Sequence, residues 1–259
     1  MTAAATSQAL RAVKPGPVFG CLVLAAAVGA TMLWQSGSDS GTTATVGALL
    51  FVLAGWVISL SLHEFAHAFT AYRFGDTSVD TRGYLTLNPL KYTHPGLSIG
   101  LPLLIILMGG IGFPGGAVYL HQQGFTKPQR TQVSLAGPVT NLVLGVALLL
   151  LARFVDVADR QNLAGAIVML GFLQITATVL NILPVPGFDG YGAIEPYLSA
   201  PTRASAEKIA PYGFLLVFAL LLIPTLNRAF FDVVFGFIEL FGTPMALIRH
   251  GWDLFVFWR

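Results

Sequence analysis

The sequence predicts an all-α polytopic membrane protein with about six transmembrane helices. Of its 259 residues, 55% are hydrophobic and 10% are charged, and the mean hydropathy is +0.73. These values leave too few charges to cover a water-soluble globule and more apolar residues than one core can bury. The second observation is a series of apolar runs of helical length that polar stretches separate.

Six of these runs are long enough for membrane helices, and they cover about residues 17–35, 45–72, 97–112, 131–153, 163–183 and 207–226. A seventh run at 229–248 is interrupted by two acids and by Gly242-Thr243-Pro244. That run predicts either a further span or a helix on the membrane surface.

The first run is expected to be an uncleaved span, because a protein with several later spans needs no removable signal. Arg11 and Lys14 precede it, whereas the polar break at 35–44 contains no Lys or Arg. The positive-inside rule therefore predicts a cytoplasmic N-terminus and a second run that returns inward. The single cysteine, Cys21, allows no disulfide within the chain. A net charge of +2 with scattered basic residues gives no reason to expect nucleic acid as a partner.

The second run ends in a metal-binding signature, His63-Glu64-Phe65-Ala66-His67. Positions i and i+4 of a helix lie one above the other, so the two imidazoles can bind one metal ion. Glu64 is rotated from that line by about 100°, which keeps it off the metal but close enough to act on a water. The preceding uncharged residues, 45–62, would form a helix about 27 Å long, which places the signature at membrane depth. Two structural histidines at a helix end are the alternative interpretation.

Two irregular features are expected after this signature. The alternation of residues over 83–88 predicts a short membrane-associated β element. The segment 97–120 is apolar but is broken by several glycines and prolines, so it predicts either a simple span or a re-entrant loop.

A zinc ion with two His ligands needs a third protein ligand and an open position, and Asp189 is the best candidate. Prolines and glycines between Asn181 and Gly190 force the helix to open just before this carboxylate. A loop-capping aspartate is the alternative. Because His67 and Asp189 can share a metal only near one membrane face, the re-entrant interpretation of 97–120 is preferred. Three single histidines near turns are expected to be interfacial residues rather than ligands: His94, His121 and His250.

Two amides are candidates for contact with a substrate. Asn141 follows Gly137-Pro138, where a small residue permits close helix approach, and lipid would penalise an amide without a partner. Asn141 is expected either to contact the substrate or the metal site, or to tie two helices together. Asn181 has the same alternatives, with oxyanion or substrate contact slightly favoured.

Three motifs in this order resemble the site-2 protease family of intramembrane zinc metalloproteases: His63-Glu64-x-x-His67, Gly137-Pro138-x-x-Asn141 and Asn181-x-x-Pro184-x-Pro186-x-x-Asp189-Gly190. The resemblance implies a three-helix core in which His63, His67 and Asp189 bind zinc and Glu64 is the general base. It also implies that the substrate is a transmembrane-helix protein in the lipid bilayer. The expected location is a bacterial or archaeal cell membrane, with the active site toward the cytoplasm.

The resemblance divides the chain into an N-terminal tail with the first helix (1–44), a catalytic core (45–200) and C-terminal transmembrane and interfacial segments (201–259). No insertion between the motifs is long enough for a PDZ domain, so the compact form of the family is expected. The chain departs from the family pattern at Tyr191, where many relatives have glycine, and at Tyr92 and His94. These departures are expected at substrate-facing or structural positions, so they leave the substrate specificity open but not the assignment of the metal ligands.

Two other functions remain open. A membrane transporter or metal-binding protein would use the same His and Asp ligands, but it would give Glu64 no role. A membrane metalloprotease for soluble substrates, such as a prenyl-protein protease, would take Glu195 as its third ligand. The sequence predicts no oligomeric state.

Overall fold

The computed structural model describes residues 13–91 and 120–257, and this part of the chain is helical. The α-helices are α1 Pro17–Ser36, α2 Thr42–Arg73, α3 Ser78–Thr81, α4 Lys127–Ala152, α5 Gln161–Asn181, α6 Asp189–Ile194, α7 Ala200–Ile209, α8 Gly213–Leu221, α9 Pro224–Glu239 and α10 Met245–Phe255. Four short 3-10 turns lie between them, at Tyr84–Thr86, Pro89–Lys91, Glu195–Tyr197 and Ala210–Tyr212.

Four of the described helices, α1, α2, α4 and α5, are long and apolar enough to cross a membrane. They correspond to the apolar runs predicted at 17–35, 45–72, 131–153 and 163–183. Helix α5 is the central one, since 89% of its most apolar 18-residue stretch is buried in the bundle. Helix α1 lies at the periphery, and only 11% of the corresponding stretch is buried. Helices α2, α4, α9 and α10 pack around α5, and α1 packs on α2.

The predicted span at 207–226 is not one continuous helix. Pro211 and Pro224 divide it, because a proline cannot donate to the preceding turn of a helix. Between them, α8 has nine residues and is therefore only about 14 Å long, which is too short for a hydrocarbon layer of about 30 Å. The predicted span or re-entrant loop within 97–120 lies outside the described residues.

The predicted β element at 83–88 is wrong, because this stretch forms a 3-10 turn. Gly83 and Leu87 on either side of the turn have left-handed backbone angles, with φ values of 74° and 55°, and these end any extended strand. Tyr84 and Leu85 are neighbours in sequence, yet both are buried in one apolar cluster. In a strand they would point to opposite faces.

The C-terminal segment also folds back on α5. The chain breaks between α9 and α10, at the predicted interruption near Gly242. The ring of Phe172 in α5 stacks on Phe231 and Phe235 of α9 at centroid distances of 6.4 and 5.8 Å. The region 229–248 therefore contributes to the helical core around α5.

Candidate metal centre

Three side chains with metal-binding atoms meet where α2 ends, α4 begins and α5 has just ended. His63 and His67 lie one turn apart on α2, with 3.1 Å between their Nε2 atoms. Asp189 opens α6, with Oδ2 3.2 Å from His63 Nε2 and Oδ1 3.4 Å from His67 Nε2. One ligand atom from each residue falls within 4.8 Å of the others. The three residues therefore form a compact group that could hold a metal ion.

The donor set and its spacing fit zinc. A tetrahedral zinc ion with bonds of about 2.0–2.1 Å holds its ligand atoms about 3.4 Å apart, and the three separations here are 3.1, 3.2 and 3.4 Å. Two imidazoles and one carboxylate leave the fourth position open, as catalytic zinc sites do. In the described part of the chain, Asp189 Oδ2 is buried and accepts no hydrogen bond, so this oxygen has a lone pair available for a cation.

Helix α4 forms one wall of this group. The Nδ1 atom of His67 lies 2.7 Å from the backbone oxygen of Val133, and because a carbonyl only accepts, Nδ1 must carry the proton. In the neutral ring, Nε2 then has the lone pair and faces Asp189 and His63, which is the tautomer that a metal ligand needs. A Cβ atom added to Gly137 would lie 2.5 Å from His63 Nε2 and closer still to His67 Nε2. Only glycine leaves room for both rings at this position.

Asp189 is held by contacts on two sides. Helix α5 ends at Asn181, and the chain turns before α6 begins at Asp189, as the prolines and glycines of this stretch predict. A Cβ atom on Gly190 would collide with the Ile182 carbonyl, so the start of α6 lies directly against the end of α5. From α4, the Thr131 hydroxyl donates to the Ala193 carbonyl at 2.7 Å.

Neighbouring charges determine the ionisation of Asp189, which lies outside the four candidate spans. Burial opposes its ionisation, but the adjacent His67 and His63 act in the opposite direction and hold the pKa of the carboxyl well below its usual range. The residue is therefore an anion, which is the form that binds a cation.

The three other predicted site residues surround this group. Glu64 is 4% exposed, follows His63 directly on α2, and lies close enough for its charge to act on the His67 imidazole. Asn141 is buried one turn after Gly137, on the face of α4 that contacts the imidazoles. Asn181 is half-buried at the last position of α5.

Other candidate ligands are engaged elsewhere. The ring Nδ1 of His121 lies 3.0 Å from the hydroxyl oxygen of Ser78. His250 Nε2 lies 2.8 Å from the side-chain oxygen of Asn162, and burial lowers the pKa of His250 although Asp253 acts in the opposite direction. His94 lies outside the described residues. Glu195, the third ligand under the soluble-substrate hypothesis, is 4.0 Å from Arg203.

Sequence reasoning missed the Val133 carbonyl, because a backbone oxygen has no signature in residue identity. It predicted a close helix approach at Gly137 without identifying the imidazoles as the neighbours.

Comparisons with known proteins support the zinc interpretation. The chain is 52% identical over 249 residues to "Putative zinc metalloprotease Rip2" of Mycolicibacterium smegmatis, covering 96% of each chain. It is 46% identical over 246 residues to the protein of the same name from Mycobacterium tuberculosis, covering 95% of each chain. It is also 32% identical over 177 residues to "Putative zinc metalloprotease YwhC" of Bacillus subtilis, covering 65% of this chain and 78% of the relative. No protein-family model and no solved structure matches the chain.

The Rip proteins are of the site-2 protease type, and this chain shares nearly its whole length with two of them. The ligand group described above, with two histidines and one aspartate, is compatible with the zinc named in these relatives. The chain therefore belongs to the site-2 protease family of zinc metalloproteases.

Proposed function

We propose that the protein is an intramembrane endopeptidase that hydrolyses peptide bonds within transmembrane segments of other proteins, as in regulated intramembrane proteolysis. One observation carries this proposal. Two of the metal-binding side chains, His63 and His67, lie on α2, a helix long and apolar enough to cross a membrane. A metal site on such a helix is reached most directly by a substrate that is itself in the bilayer.

His63, His67 and Asp189 would hold the zinc ion. When bound, zinc supplies a Lewis acid that polarises a carbonyl and lowers the pKa of a water. Glu64 would take one proton from the attacking water as its oxygen bonds to the peptide carbon. Glu64 would then return that proton to the nitrogen as the C–N bond breaks. Its burial beside His67 supports this role, because a general base must lie within reach of the reacting water.

The two amides are proposed to act on the substrate carbonyl. Asn141 lies on the face of α4 that contacts the metal-binding rings, so its N–H group could donate to the oxyanion that develops during attack. Asn181 ends α5 just before the chain opens toward Asp189, and it is proposed as a second donor or as a contact to the unwound substrate.

A substrate helix must unwind locally before cleavage, because its carbonyl groups are shielded by their own hydrogen bonds. The turn at Tyr84–Thr86 is a poor edge for that extended segment. Its carbonyls at Leu85 and Thr86 already accept from the backbone N–H groups of Lys14 and Gly16, at 3.3 and 2.8 Å. The substrate is therefore proposed to lie along the α4 and α5 side of the site.

The active site is proposed to face the cytoplasm of a bacterial cell. Lys and Arg are more frequent in the connections at the end of the bundle that contains the metal-binding group than in those at the opposite end, and this asymmetry supports the orientation. The connections at the site end have Arg73, Arg82, Lys91, Lys127 and Arg130, whereas those at the opposite end have Arg153 and Arg160.

Replacement of Glu64 tests the proposal. In proteoliposomes with a membrane-helix reporter, Glu64→Gln should retain bound zinc and lose cleavage, because the amide cannot accept the proton. Glu195→Gln is the matched control, since Glu195 is paired with Arg203 and is not a member of the metal-binding group, and this variant should cut normally. Cleavage that persists in Glu64→Gln would contradict the mechanism. Zinc flux that survives the same replacement would favour a transporter.

A further inference from the structure

The hydrogen bond between His67 and Val133 joins two helices at the metal centre. Both residues are buried, with 6% and 1% exposure, and the Nδ1 to oxygen distance is 2.7 Å. A carbonyl inside an α-helix normally accepts from the N–H group four residues later, which for Val133 belongs to Gly137. The oxygen of Val133 is nevertheless oriented so that it accepts from another helix.

The pair Gly137-Pro138 gives a physical reason for this. Pro138 lies inside α4 and has no N–H group, so the Ser134 carbonyl lacks its usual helical donor. The proline ring also crowds the N–H group of the preceding residue and disfavours helical angles there. That residue is Gly137, the regular donor to Val133. Both effects loosen the turn that begins at Val133.

The two imidazoles differ in the hydrogen bonding of their Nδ1 atoms. His67 is held from behind by the Val133 carbonyl. In the described part of the chain, the Nδ1 atom of His63 is buried without a hydrogen-bond partner. A metal-binding histidine usually donates its second N–H to a neighbouring group that fixes its orientation. The bond to α4 is therefore the contact that determines how the pair presents its nitrogens.

We propose that Pro138 is a positioning residue for the metal centre. By loosening the turn of α4 that starts at Val133, it makes the carbonyl available to His67 and thereby fixes the ring in its metal-binding tautomer. This inference concerns the metal centre alone, so it stands or falls independently of which peptide the protein cuts.

Zinc affinity and stability of the purified full-length protein, measured for matched proline variants, test the proposal. In Pro138→Ala the zinc Kd should rise about 10- to 100-fold, as for other losses of a ligand's supporting contact. The metal-free variant should unfold at a higher temperature than the wild type, because a helix breaker has been removed. Pro128→Ala removes a proline from the first turn of the same helix, where the N–H group is unused, and both quantities should stay unchanged.

Opposite changes in stability and affinity distinguish positioning from a general structural role. A zinc Kd within about twofold of the wild type would overturn the proposal, since a lost supporting contact costs at least about tenfold. A fall in both affinity and metal-free stability would do the same.

The carbonyl itself can be tested without touching Pro138. Replacing Ser134 by its α-hydroxy analogue converts the Val133–Ser134 amide into an ester, whose carbonyl is a weaker acceptor. The zinc Kd should rise about tenfold, whereas the same change at Leu144, next to the exposed Val143, should have no effect. Equal affinities for the two esters would contradict the inference.

Discussion

Gly137 decides how closely α4 can approach the two imidazoles. An alanine methyl group at this position would lie 2.5 Å from His63 Nε2 and nearer to His67 Nε2, so the rings or the helix would have to move. Because the ligand atoms must stay about 3.4 Å apart to share a zinc ion, Gly137→Ala should reduce zinc affinity roughly 100-fold. Competition with a chelating dye on the purified protein measures this.

Gly236→Ala is the control for this experiment. Gly236 also lies inside a helix, α9, but an added methyl group there meets no atom within 4 Å. Its zinc affinity should equal that of the wild type. Normal zinc binding by Gly137→Ala would contradict the claim that α4 lies too close to the imidazoles for a side chain at this position.

At the scale of single residues, some of the site could be predicted and some could not. The spacing of His63 and His67 follows from helix geometry alone. Asp189 could be found because prolines and glycines open the helix before it. The Val133 carbonyl could not be found, because tertiary packing and not residue type selects which backbone oxygen meets the ring of His67.

At the scale of elements, α4 holds α6 and thereby the position of Asp189. The hydroxyl of Thr131 lies 2.7 Å from the Ala193 carbonyl. Thr131→Val keeps the shape but leaves that carbonyl without its donor, so the free energy of unfolding in detergent should fall by about 1 kcal/mol. Zinc affinity should fall as well, because α6 carries Asp189, the proposed third ligand.

Thr140→Val separates the loss of this contact from the loss of a hydroxyl group. Thr140 is on the same helix, but its hydroxyl bonds to the carbonyl of Ala136 within α4, at 2.9 Å. Its zinc affinity should be unchanged. Equal zinc affinities for the two valine variants would show that the bond between α4 and α6 does not position Asp189.

Four apolar runs form single helices, and three of them have no proline or glycine pair near the middle. The exception is the run at 131–153, which contains Pro138 and nevertheless lies within the single helix α4. The run at 207–226 differs because two prolines, Pro211 and Pro224, leave only the nine residues of α8 between them. The prediction of a β element at 83–88 failed for another reason. Tyr84 and Leu85 are both buried against the face of α2 that carries Ala68. Alternation in sequence cannot reveal that a turn buries two neighbours together.

At the scale of the whole molecule, the helical bundle has two chemically different ends. The metal-binding group lies at the end where α2 stops and α4 starts. At the other end, the buried side chain of Asn162 donates to the hydroxyl of Ser36 at 3.0 Å and to the carbonyl of Asp39 at 2.9 Å. These bonds join the start of α5 to the turn between α1 and α2. The metal-binding group and the hydrogen bonds of Asn162 therefore lie on opposite faces of any membrane that the bundle spans.

Thiol labelling in intact bacterial cells tests which end of the helical bundle faces the cytoplasm. In a Cys21→Ser background, Asp80→Cys adds one exposed thiol at the metal end and Ala158→Cys adds one at the other end. If the basic end is cytoplasmic, a membrane-impermeant maleimide should label the thiol at 158 in intact cells. The thiol at 80 should react only after the membrane is permeabilised. The reverse pattern would place the metal centre at the outer face, and substrates would then have to be cut there.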